Sequence, residues 1–131
     1  MNSTTMGDAL SNGTARPRLA RPGSAERLSN AVVGWFKERV GRGPTNAKTQ
    51  IGDDHVLVLL SHVQTTVERT LVEADQGALV DQLHRTLRGL YREELCALVS
   101  VHLDRPVATM LSDHDPETDC SALVFLLDRH D

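Results

Sequence analysis

The stretch of this chain best suited by residue type to recognise another molecule is Gly41-Arg42-Gly43-Pro44-Thr45. Two glycines let backbone N–H groups approach an anion closely, and Arg42 adds a charge-assisted contact. No Lys-Ser/Thr continuation follows, so this is not a phosphate loop of the nucleotide-binding kind. The same residues also read as a sharp turn, because glycine ends a helix and proline cannot continue one. Both readings stand, and Gly41, Arg42, Gly43, Pro44 and Thr45 are the candidate ligand- or partner-binding residues. A two-glycine loop between helix and strand also occurs in single-strand RNA-binding modules, but the charge of the body argues against nucleic acid.

Other residues capable of chemistry fall short of a site. Asp113, His114, Asp115, Glu117 and Asp119 are the densest group of potential ligands, yet the glycine and ligand spacing of a calcium loop are absent. An acidic hairpin turn accounts for them, and no metal is expected. The six histidines show no H-x-x-x-H pair, and His84 and Arg88 share a helix face with no acid partner nearby in sequence. A histidine on that polar side reads as solvated. Cys96 falls in mid-helix and no G-x-S-x-G pattern exists, so a nucleophile on a strained elbow is missing. No catalytic residue and no cofactor are expected. The two cysteines, Cys96 and Cys120, read as reduced packing residues.

These residues sit in a chain of 131 residues, enough for one domain with a real core. Aromatic residues are only 3% of it, so Leu and Val must fill that core. The net charge of −4 is uneven. Up to residue 23, three arginines against one aspartate give +2, and beyond it eleven basic against seventeen acidic residues give −6. An acidic body lacks the basic face that phosphate backbones require. Residues 1–23, rich in Ser, Thr, Asn, Gly, Pro and Arg, read as a disordered tail, with one domain over 24–131. No apolar run reaches the ~18 residues a membrane span needs and no signal peptide is visible, so a cytoplasmic location is expected.

The elements that must position everything follow from periodicity. Residues 77–103 carry Leu79, Val80, Leu83, Leu87, Leu90, Tyr91, Leu95, Leu98 and Val99 at spacings of three and four, a helix with one wide apolar stripe. An earlier helix, with Ser24 as its N-cap, places Leu28, Val32, Trp35, Phe36 and Val40 on one face and stops at Gly41. Ala47–Ile51 and Val56–Leu60 make a hairpin around Gly52-Asp53-Asp54. Val56–Leu60 is apolar on both faces, which suits a central strand or an edge buried in an oligomer. Thr65 and Glu68 form a capping-box pattern opening a short helix. Arg105-Pro106 closes the long helix. Val107–Leu111 and Cys120–Leu127 form the second hairpin across the acidic turn at residues 112–119. The expectation is an α+β fold, α-β-β-α-α-β-β, with a four-stranded mainly antiparallel sheet and helices packed on one face.

Several of these segments together resemble a known family. They are Phe36–Pro44 (FKERVGRGP), Asp54–Leu60, Arg105-Pro106-Val107, Ser112-Asp113 and Val124–Asp128 (VFLLD). The chain resembles, over roughly residues 24–128, the MpsC-like component of a sodium-translocating, membrane-potential-generating system. The resemblance implies an accessory partner of membrane transporter subunits and brings no catalytic residues with it. The expected protein is a small non-enzymatic accessory or regulatory binding module, a homodimer, cytoplasmic or peripheral to the inner face of the membrane. The alternatives are an anion or nucleotide sensor using the Gly41–Thr45 loop, and an enzyme of unassigned chemistry.

Overall fold

The computed structural model describes residues 22–128, so all of the expected disordered tail except its last two residues lies outside the described residues. The elements are α1 (Ser24–Val40), β1 (Asn46–Ile51), β2 (His55–Ser61), α2 (Thr66–Glu73), α3 (Gly77–Leu103), β3 (Val107–Asp115) and β4 (Cys120–Leu127). They form one four-stranded sheet in the order β1-β2-β4-β3, antiparallel at every pairing. This is the expected α+β architecture. The doubly apolar β2 takes an inner place between β1 and β4.

Alternation along the strands sends one set of side chains under the helices. Val56, Val58, Leu60, Leu123 and Phe125 are buried there against Leu28, Val32 and Trp35 of α1 and Leu95 and Val99 of α3. Helix α1 lies on β1, α3 lies on β3, and α2 packs on α3. The opposite face of the sheet carries no helix among the described residues. Leu59, Leu111 and Leu126 on it remain exposed.

Three expectations need correction. Ser24 is not the N-cap: Gly23, at φ 81°, precedes the helix and no side chain caps it. The glycine takes a left-handed turn that a serine would resist, so the helix starts one residue earlier. The acidic turn is shorter than expected, because β3 runs on through Asp115. Its ladder with β4 continues to Asp115↔Cys120, and the turn is only Pro116–Asp119. Finally, the α3 stripe is not one buried surface. Val80, Leu95 and Val99 are buried, whereas Leu79, Leu83 and Leu90 stand out in solvent. A helix lying on a narrow sheet can bury only about half its girth, and α3 is apolar over more than that.

The chain ends of these elements are pinned by polar contacts. The capping box is made: Glu68 N–H donates to Thr65 Oγ1 at 3.2 Å, and Thr65 N–H to Glu68 Oε1 at 3.1 Å. Asp104 closes α3 in the left-handed region at φ 54°. Arg105 then donates to the Asp53 and Asp128 carbonyls at 2.8 and 3.3 Å, tying the start of β3 to the β1–β2 turn and the end of β4.

Candidate functional site

The Gly41–Thr45 loop is built as a turn that presents one cation. Gly41 ends α1 at φ 87°, a conformation that a Cβ would strain. Gly43 is needed for close approach, since a Cβ there would sit 3.3 Å from the Val33 carbonyl oxygen and 2.9 Å from Lys37 Cγ. Pro44 is buried, while Gly41, Arg42 and Thr45 are exposed. Arg42 makes no hydrogen bond or ion pair among the described residues. Thr45 belongs to the sheet end: its N–H donates to Ser61 O at 3.0 Å, and its hydroxyl meets His62 Nδ1 at 2.7 Å.

From Thr45 a polar chain runs inward to residues of which the sequence grouped only His114 and Asp119. His62, at φ 61°, donates its N–H to Asp119 O at 2.9 Å. The Asp119 carboxylate, also on a left-handed residue at φ 55°, accepts the N–H groups of Val63 and Gln64 at 3.1 and 3.2 Å. Gln64 Nε2 donates to Pro116 O at 2.9 Å and lies 3.2 Å from His114 Nε2. Donation by that amide leaves His114 Nε2 as acceptor, so Nδ1 carries the proton and gives it to Ser121 Oγ at 2.5 Å. The ring of His114 stacks on His84, with centroids 4.1 Å apart. His84 Nε2 in turn donates to Glu68 Oε1 at 3.0 Å.

The electrostatics here are set first by burial. The His114 side chain has no exposure at all. Burial first, then the neighbouring His84 and Arg88, lower its pKa to about 4, against the smaller upward pull of Asp119 and Glu68. For Glu68 burial is the largest influence and pushes the carboxyl up. The hydrogen bonds from His84 and Thr65, with the charges of His84 and His114, outweigh it and hold the group below its ordinary value. Sequence reasoning read His84 as solvated and His114 as part of a turn. His84 is instead largely buried on the acid that also closes the capping box, and His114 is an inward residue of β3. Extending the strand period through Asp115 would have turned His114 inward; nothing in the sequence places Glu68 beside His84.

This cluster is reached from outside by two open grooves, one of about 310 Å³ along His62, Gln64 and Asp119 and one of about 600 Å³ along Asp113 and His114. It borders an apolar cavity of about 40 Å³ lined by Trp35, Tyr91, Leu87, Leu95, His84 and Ser121. That is far below the ~300–1,000 Å³ of small-molecule sites. Arg88 also lines it, with Nη1 buried and without a hydrogen-bond partner among the described residues. The Ser121–His114 pair has Asp119 at 3.8 Å, too long for a hydrogen bond. Among the described residues no group of three or more His, Cys, Asp or Glu could hold a metal ion. Both cysteines are free, and burial raises the Cys96 thiol above its usual pKa.

The outer side of α3 offers a different surface. Leu79, Leu83, Leu90 and Val101 are 57%, 41%, 71% and 78% exposed. At ~100° per residue they fall within about 40° of one another around the helix. Among the described residues no helix is long and apolar enough to cross a membrane.

An open-faced antiparallel sheet under three helices, with a glycine turn after α1 and an Arg-Pro step into β3, defines a small α+β domain. A sequence model of the MpsC family, described as "Na+-translocating membrane potential-generating system (MpsC)", matches residues 23–129. The chain belongs to that family. Its name suggests an association with a sodium-translocating membrane system. No curated protein and no solved structure matches the chain.

Proposed function

We propose that this chain is a non-enzymatic accessory or regulatory binding protein of a membrane ion-translocating system. In this reading it works as a homodimer on the cytoplasmic side, peripheral to the membrane. The observation that carries it is the exposed apolar seam of α3. Four large aliphatic side chains aligned over most of a 27-residue helix leave water only when another surface covers them. The family membership supplies the kind of system. Arg42 and its neighbours Gly41, Gly43, Pro44 and Thr45 form a second contact beside the seam's partner.

The test is affinity purification of the tagged full chain from its own host after gentle solubilisation of membranes. Wild type, Leu90→Glu and Arg42→Ala are run side by side. Recovery of membrane transporter subunits with wild type, and their loss with Leu90→Glu, is the expected result. Equal recovery with all three variants removes both surfaces from the interaction, and recovery of no membrane protein removes the reading.

One observation favours a second reading, an anion or nucleotide sensor at Gly41–Thr45: Arg42 is exposed and unpaired among the described residues. On this reading nucleotides or inorganic phosphate raise the melting temperature of wild type and not of Arg42→Ala. A panel that shifts neither protein ends it.

A further inference from the structure

We propose that the open face of the sheet is where two copies of this chain meet, related by a two-fold axis parallel to the strands. The inference rests on the homodimer of the proposed function and names its contact. Strand register lays the outward side chains in transverse rows. Lys48 of β1, Leu59 of β2, Ala122 of β4 and Asp113 of β3 form one row; Gln50, Leu57, Val124 and Leu111 form the next. Leu126 continues the apolar strip beside Thr109. The centre of the face is thus Leu57, Leu59, Val124 and Leu126, and its two edges carry opposite charges in the same row.

That arrangement is self-complementary for one symmetry. A two-fold axis parallel to the strands lays β1 of one copy over β3 of the other while keeping each row in place. Lys48 then meets Asp113 of the second copy, twice by symmetry, and the large Leu59 faces the small Ala122. An axis across the strands would instead stack Lys48 on Lys48, which is repulsive. The charges are free for this contact. Lys48 is exposed and has no partner among the described residues. Asp113 accepts the His114 N–H at 2.9 Å and feels Arg88 from the covered side, but forms no ion pair there. Face-to-face packing of two sheets on interdigitated aliphatic side chains is an ordinary way to bury such a surface.

Sedimentation velocity of the full chain over a micromolar concentration series decides it. Wild type dimerises, and added salt weakens the dimer. Lys48→Glu and Asp113→Lys each weaken it about tenfold or more, because like charges now face each other. The double variant Lys48→Glu/Asp113→Lys recovers the wild-type affinity. Melting temperatures of the variants confirm folding, and Leu59→Gln weakens the dimer without touching either charge. A wild-type dimer indifferent to all of these but broken by Leu90→Glu overturns the face and leaves the homodimer standing on α3. A monomer at every concentration overturns both, leaving the accessory reading to the purification experiment.

Discussion

The two faces of one sheet show how the same strands serve opposite ends. On the covered face Val56, Val58, Leu60, Leu123 and Phe125 lie at or near zero exposure under α1 and α3. On the open face their immediate neighbours Leu57, Leu59, Val124 and Leu126 are also aliphatic, yet no helix among the described residues reaches them. The covered face is where polar groups are expensive: His114 is satisfied by Gln64 and Ser121 and Asp119 by two backbone N–H groups, while Arg88 Nη1 is left without a partner among the described residues. The open face keeps its charges at the rim. One face stores stability; the other is where the association is proposed.

The comparison is sharpened most by Phe125→Ala. Removing a fully buried ring at the centre of the covered face should cost about 3–5 kcal/mol in chemical denaturation. A loss under about 1 kcal/mol would mean that the two faces differ less than their burial indicates. Next in size is a pH effect confined to the covered face. The folded His114 binds its proton at about 4 and the unfolded one near 6.5. Between these values the unfolded chain takes up a proton that the folded chain refuses, so stability falls as pH drops from about 6.5 to 4. Glu68, held low when folded and 4.5 when unfolded, contributes stability present above 4.5 and lost as pH falls through its folded value. Denaturation midpoints against pH should show both slopes, and His114→Gln should flatten the upper one.

Smaller is the cap that seats α2 beside this cluster. Thr65→Ala removes the side-chain acceptor for Glu68 N–H and should cost about 1 kcal/mol in the same assay. Smallest is the open face itself. Leu111→Thr, at a position 55% exposed, should change stability by no more than about 0.5 kcal/mol at protein concentrations where the chain is monomeric. A larger loss would show that something already covers this face in the monomer.

How far the sequence could be read depended on the range of the interaction involved. The α3 bounds, the capping box of Thr65 and Glu68, and the Arg105-Pro106 stop were legible because each rests on contacts within a few residues. The Gly41–Thr45 loop was legible as a turn for the same reason. Its burial of Pro44 and its link through Thr45 to His62 were not, since His62 lies just beyond the end of β2, 17 residues along the chain. Of the polar cluster, the sequence grouped only His114 and Asp119, and read them as an acidic turn. Glu68 announced itself as a helix cap, and only the packing of α2 on α3 turned the same oxygen toward His84.

Periodicity by itself determined that α3 is amphipathic, that β2 is apolar on both sides and that the fold is α+β with two hairpins. Those are properties of local backbone geometry, which repeats every 3.6 or two residues whatever lies across the gap. Which half of the α3 apolar arc is covered, and which side of β2 stays bare, only the tertiary structure decided. Periodicity states how many apolar faces an element has. The number of helices available to cover them, and the breadth of the sheet beneath, determine which are buried and which stay exposed.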